Sequence, residues 1–148
     1  MKRRTVCRFY TEVTAMLPTF KSTITLYNRY TVLENGRNVT KWKRTVLKGC
    51  YFGLKKRNML SGETLSQSDE YVCRIPQNPS FTEAFSGQPD KFTLNKGDII
   101  LSGKIGERIE DTEGKRVSDI LKKHRGFTVT SVSVNTLLPF PHYRASGE

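Results

Sequence analysis

The sequence predicts a mainly β domain, a small antiparallel β-barrel or sandwich with one short α-helix before the last two strands. Three observations predict it. An Asn-Gly pair sits between two runs of β-formers, short stretches of alternating apolar and polar residues recur along the chain, and one segment, 117–124, has helical period. Residues 1–20 have mixed polarity and end just past Pro18, so they read as an N-terminal basic arm or tail ahead of a single domain over 21–148.

The first strand begins near Lys21. Ile24, Leu26, Tyr30 and Val32 alternate with Thr25, Arg29 and Thr31, the pattern of a strand with one buried face. Asn35-Gly36 accepts positive φ at both turn centres, and Val39 to Val46 returns as the partner strand, followed after Gly49 by a short strand at Cys50-Tyr51-Phe52. Residues 54–69 match neither period, and a connection of that length reads as a functional long loop. Residues 70–75 form the next strand, stopped by Pro76, and an irregular excursion over 77–89 returns Phe81 and Phe85 to the core. Leu94 to Asp98 turns the chain into Ile99-Ile100-Leu101, and 103–109 continues as a bent strand.

Val117, Ile120 and Leu121 at i, i+3 and i+4 define the helix. Ser118 or Thr112 serves near its start, and Gly126 is placed to cap its end after Lys122, Lys123 and His124. Residues 127–134 read as one strand, Asn135-Thr136 as a turn, and 139–145 as a last extended edge segment.

Composition sets the broader limits. The chain of 148 residues has a formal net charge of +11, which favours an anionic or acidic neighbour. That excess is concentrated: residues 21–58 hold ten bases and one acid, whereas 59–100 hold three bases and six acids. A mean hydropathy of -0.53 excludes a membrane-embedded chain of apolar helices. Cys7, Cys50 and Cys73 form neither a disulfide framework nor a paired metal half-site, and are expected as reduced thiols inside a cell. Met1-Lys2-Arg3-Arg4 imitates the start of an export signal, but Arg8, Thr11, Glu12 and Thr14 interrupt the apolar stretch that a signal needs.

Catalytic and cofactor motifs are not found in the sequence. Gly97 to Lys104 has the wrong spacing for a phosphate-binding loop and lacks the hydroxyl after the lysine, and Gly103–Gly106 lacks the third glycine of a dinucleotide site. His124 and His142 have no metal-binding spacing, and Glu107, Glu110, Asp111 and Glu113 read as a solvated turn. No enzymatic activity, cofactor or metal is expected. The residues suited to a polyanion or partner surface are Lys41, Lys43 and Arg44 on the return strand, and Lys55, Lys56 and Arg57 in the long loop. Tyr27, Tyr30, Trp42, Tyr51 and Phe52 suit base stacking in principle, though core packing is the commoner use of such aromatics.

Lys96-Gly97-Asp98-Ile99-Ile100-Leu101-Ser102-Gly103, the helix Val117 to His124, Thr130 to Asn135 and Pro141 to Glu148, taken in that order with Ile24 to Asn28 and Thr45 to Phe52, resemble small structural proteins of tailed phages and prophages of Gram-positive bacteria. Through them the chain resembles head-tail connector components of the head-closure or stopper kind. The resemblance implies a β-barrel subunit made in the bacterial host cytoplasm and located in the virion, where a homo-oligomeric ring joins portal and adaptor to tail proteins. The loop would carry the inter-ring contact, with Asn58, Met59, Leu60 and Leu65 as candidates, and the adjacent basic residues would meet packaged double-stranded DNA or an acidic adaptor surface. The alternative is a small β-barrel nucleic-acid-binding module that uses Lys41, Lys43 and Arg44.

Overall fold

Asn35 (φ 51°) and Gly36 (φ 75°) adopt the left-handed conformations of a type I′ turn, and around them β1 (Ser22–Glu34) and β2 (Arg37–Ser61) form the hairpin that organises the sheet. The computed structural model describes residues 20–62, 64–83, 88, 90–135 and 140–148, with backbone alone at 57–61 and 65–68. The expected basic arm therefore lies outside the described residues apart from Phe20, as does Phe85.

β2 is 25 residues long because it serves two neighbours in succession. Arg37 to Cys50 pairs with β1, and Tyr51 to Ser61 pairs with β3 (Thr64–Pro76). Just before the changeover, between the Ile24↔Leu47 and Ser22↔Cys50 pairs, the register slips by one residue, where Gly49 takes φ 72°. This is a β-bulge, which bends the strand, so Cys50-Tyr51-Phe52 is a continuation of β2 and not the separate strand expected.

β4 (Ile99–Ser102) pairs with β1, β5 (Gly126–Thr128) with β4, and β7 (His142–Gly147) lies between β3 and β6 (Ser131–Asn135). The result is one curled antiparallel half-barrel sheet in the order β5-β4-β1-β2-β3-β7-β6. Its two edge strands, β5 and β6, come from a single run of chain. That run links the sheet's ends: Val129 N donates to Asp98 O at 2.8 Å, and Thr130 N donates to Ser146 O at 2.8 Å. The expected single strand at 127–134 is thus divided at Val129-Thr130, and the terminal segment is an inner strand because β6 covers its outer edge.

Two apolar clusters flank β1 and β4. Ile24, Leu26, Cys73, Ile75, Ile100, Phe127, Val129 and Ala145 fill the inside of the curl. On the opposite face, Tyr27, Ile99 and Leu101 pack with Ile109 and Ile120. Residues 24–28 are therefore buried on both faces, whereas the alternation predicted one. The second cover consists of the helix α1 (Val117–Lys123) and the segment 103–110. That segment is not the bent strand expected. It is a strap held by side chains: Thr25 Oγ1 donates to Gly103 O at 2.7 Å and accepts from Ile105 N at 2.9 Å, and Tyr27 Oη donates to Glu107 O at 2.6 Å.

α1 begins without Ser118 or Thr112 as its cap. Instead Asp119 Oδ2 accepts from Gly114 N (3.1 Å) and Arg116 N (3.3 Å). Gly126 does not cap the helix end either. It is a strand residue where a Cβ would fall 2.4 Å from Ile100 O, so its role is close approach of backbone to β4.

Candidate functional site

Residues 54–69, expected as a loop, are the distal part of the β2–β3 hairpin, joined through Gly62 at φ 62°. From Lys55↔Glu70 to Ser61↔Thr64 the two strands pair only with each other, because β1 has ended opposite Cys50 and β7 joins β3 only from Tyr71. The seven rungs form a ribbon roughly 20 Å long. Lys55, Lys56, Gly62, Thr64 and Asp69 are exposed.

A two-stranded ribbon is marginal on its own, and this one is anchored at its base. Phe52 lies 5.8 Å from Tyr71 and 5.9 Å from Phe127, and Tyr71 stacks on Phe127 at 5.8 Å with an interplanar angle of 2°. The Arg125 guanidinium covers Phe52 at 5.6 Å. Each aromatic contact of this kind adds about 0.5–1.5 kcal/mol beyond area burial.

The register changes the meaning of the basic triplet. Lys55 stands opposite Glu70 and Lys56 opposite Asp69, so two of its three charges face acids across the ribbon. Arg57 pairs with Ser68, Asn58 with Gln67, Met59 with Ser66 and Leu60 with Leu65. The candidate contact residues are thus gathered at the distal half of one ribbon.

Lys41, Lys43 and Arg44 are adjacent on β2 but are engaged in three different places. Lys41 pairs with Glu34, whose hydrogen bond and charge raise the lysine pKa. Lys43 Nζ donates to the Gln88 and Lys91 carbonyls, and burial lowers its pKa. Arg44 Nε donates to Ile105 O on the strap. These contacts fasten the excursion and the strap to the hairpin.

An open groove of about 750 Å³ lies beside the strap, lined by Tyr30, Trp42, Arg44, Arg108 and Asp111 among others. The acidic turn is laced by ion pairs, Glu110 with Lys115 at 3.7 Å and Asp111 with Arg116 at 3.5 Å, while Glu107 faces His124 at 3.3 Å. Among the described residues no group of three or more His, Cys, Asp or Glu is placed to hold a metal ion. Cys50 and Cys73 are buried in the core, which pushes the Cys50 thiol up to about 12 and Cys73 well above its ordinary value. Such thiols are poor nucleophiles. Tyr27 and Phe52 are core or anchor residues, as the commoner use of aromatics predicts.

Asp98 is the main buried acid and it holds the fold. Its carboxylate accepts from Arg29 N (3.0 Å), Asn95 N (2.9 Å) and Asn28 Nδ2 (2.9 Å). Asn28 also pairs with the Thr93 backbone in both directions. This network pins the turn before β4 to β1. Nothing in local sequence pairs Asn28 with Asp98, since 70 residues separate them.

No curated protein and no solved structure matches the chain. A family model does match it over residues 19–148, from just before the first strand to the end of the last. The chain belongs to a family of unknown function, DUF6751.

Proposed function

We propose that the chain is a structural assembly subunit, whose curled sheet is the body and whose β2–β3 ribbon is the arm that contacts a neighbour. The finer reading is a head-closure or stopper-like connector of a tailed-phage virion, forming a ring between portal or adaptor and tail around packaged DNA. The observation that carries the proposal is the ribbon itself. Over 55–61 and 64–70 each strand has an outer edge with no partner among the described residues, yet the ribbon is rooted in an aromatic cluster. A pre-formed arm loses less conformational freedom on docking than a loop does. In a ring, each copy repeats the same heterologous contact, so closure multiplies a modest single interface.

The nucleic-acid module built on Lys41, Lys43 and Arg44 is the weaker reading, because each of those cations is engaged within the chain. The test is replacement of Asn58–Gln67 by a two-residue Asn-Gly turn, which keeps Arg57 opposite Ser68, in a phage or prophage that encodes this chain. The proposal expects a folded protein, and heads and tails that accumulate unjoined in electron micrographs. Normal joined particles would overturn it.

A further inference from the structure

The outer face of β2, β3, β7 and β6 carries an arrangement that neither the ribbon nor the core explains. The ladder places Tyr51, Arg74, Arg144 and Ser133 in one cross-strand row, with Arg74 directly opposite Arg144. Like charges directly opposite on paired strands are destabilising. Neither arginine forms an ion pair among the described residues. The surrounding positions on the same face are Gly53, Val72, Pro76, His142, Ser146, Ser131 and Asn135, with no acid among them. Arg74 is exposed and Arg144 half-buried.

Aromatic rings border the row. The Arg74 guanidinium lies 5.5 Å from the Tyr51 ring centroid. Phe20 sits 6.2 Å from Tyr51 and 6.4 Å from His142, whose Nδ1 is 2.8 Å from Phe140 O. Gly53 makes room for this arrangement: a Cβ there would fall 2.5 Å from Tyr51 Oη. Val72 and Ser146 on this face are buried, while Arg74, Ser131, Ser133 and Asn135 are exposed. Two guanidiniums without an ion pair among the described residues, beside hydroxyls and aromatic rings on this partly exposed face, match the chemistry of a phosphodiester with its attached base.

We propose that this face is a binding site for single-stranded nucleic acid, in which Arg74 and Arg144 take one phosphodiester, Ser133 contributes a hydroxyl, and Phe20 and Tyr51 provide the aromatic platform for a base. An acidic peptide would satisfy the arginines but would leave the aromatic platform unused. The proposal stands apart from the assembly reading, since it uses a different part of the sheet from the ribbon.

The test is fluorescence anisotropy of a labelled ten-nucleotide single strand titrated with the full chain. Arg74→Ala/Arg144→Ala is compared with Lys96→Ala/Lys104→Ala, exposed residues outside both the ribbon and the arginine row, a pair that removes the same charge. The proposal expects the arginine pair to weaken binding by about tenfold or more and to flatten the salt dependence, and the lysine pair to change it by less than about threefold. Phe20→Ala is expected to weaken binding by about tenfold. Thermal unfolding checks that each variant folds, and Arg74→Lys/Arg144→Lys, which keeps the charge, is expected to lose part of the affinity because the forked geometry is gone. Equal losses for the two charge-matched pairs would reduce the binding to net charge and overturn the proposal. Displacement by polyglutamate with no effect of Phe20→Ala would assign the face to an acidic peptide. Movement of the Arg74 and Arg144 signals in NMR spectra by inorganic phosphate, without oligonucleotide binding, would reduce it to a free-phosphate site. Either result overturns the nucleic-acid assignment.

Discussion

Gly147→Ala is the sharpest probe of how the sheet curls. Gly147 lies on β7, where a Cβ would fall 1.9 Å from Thr128 O, 2.7 Å from Phe127 Cδ2 and 3.0 Å from Thr128 C. The closest of these atoms is backbone on β5, at the opposite end of the sheet order, so no rotamer change relieves the contact. A separation below 3.0 Å is not tolerated, so one methyl group must push β5 and β7 apart by about 1 Å. That movement disturbs the Thr130 N to Ser146 O hydrogen bond and the packing of Phe127. The cost is about 3 kcal/mol, at the upper end for overpacking in a core. For a domain of this size it lowers Tm by roughly 6–12 °C. Gly106→Ala is the control, since it meets nothing within 4 Å and its φ is not positive; it is expected to be neutral or slightly stabilising. Thermal unfolding followed by circular dichroism measures both. A Gly147→Ala protein that melts within about 1 °C of the Gly106→Ala control would refute the close seam between β5 and β7.

Three further expectations concern the bulge, the buried acid and the thiols. Gly49→Ala strains a residue at φ 72° although space is available, with the nearest atom 3.9 Å away, and is expected to lower stability by about 1 kcal/mol in urea titrations. Burial raises the Asp98 pKa above its ordinary 3.8, against the hydrogen bonds that lower it, so the native state holds this proton more tightly than the unfolded chain. Its contribution is therefore fully present below 3.8 and is lost as pH rises through the higher native value. Asp98→Asn turns an amide towards backbone donors and is expected to cost about 1–3 kcal/mol; the wild-type advantage in urea should narrow as pH rises through that window. Cys50 and Cys73 are expected to resist iodoacetamide at about pH 8 in the native protein and to react fully in urea, read by peptide mass mapping, because burial keeps both protonated.

The parts of the fold legible in the sequence are those fixed by short-range rules. Asn35-Gly36 dictates its turn through backbone conformation alone, and Val117, Ile120 and Leu121 mark a helix that buries one side. The ribbon escaped because alternation appears only where one face of a strand is covered. Lys55, Lys56 and Asp69 lie beyond the body, so their strands carry polar residues without a period. β1 misled in the opposite sense: Tyr27 and Asn28 are buried on different faces because the strap covers one and the segment carrying Thr93 and Asp98 covers the other. Gly126 follows a basic helix end, as a cap does, and only the β4 backbone against it reveals the other reason for a glycine.

The candidate surfaces divide on the same principle. A run of lysines and arginines is visible in sequence, but its partners are not, and Lys43 reaches the Lys91 carbonyl 48 residues away. Arg74 and Arg144 attract no notice separately. Their meaning arises only when β3 and β7 bring them side by side.

The most direct test of the assembly arm is cross-linking from its tip in the assembled particle. Cys7 is replaced by Ser, Cys50 and Cys73 stay protected in the core, and a single thiol is placed by Thr64→Cys on the exposed ribbon or by Thr112→Cys on the exposed turn before the helix. With a maleimide photo-cross-linker, the account predicts that Thr64→Cys captures one neighbouring polypeptide of defined mass and Thr112→Cys does not. Equal capture from both positions, or none from Thr64→Cys in intact particles, would contradict it.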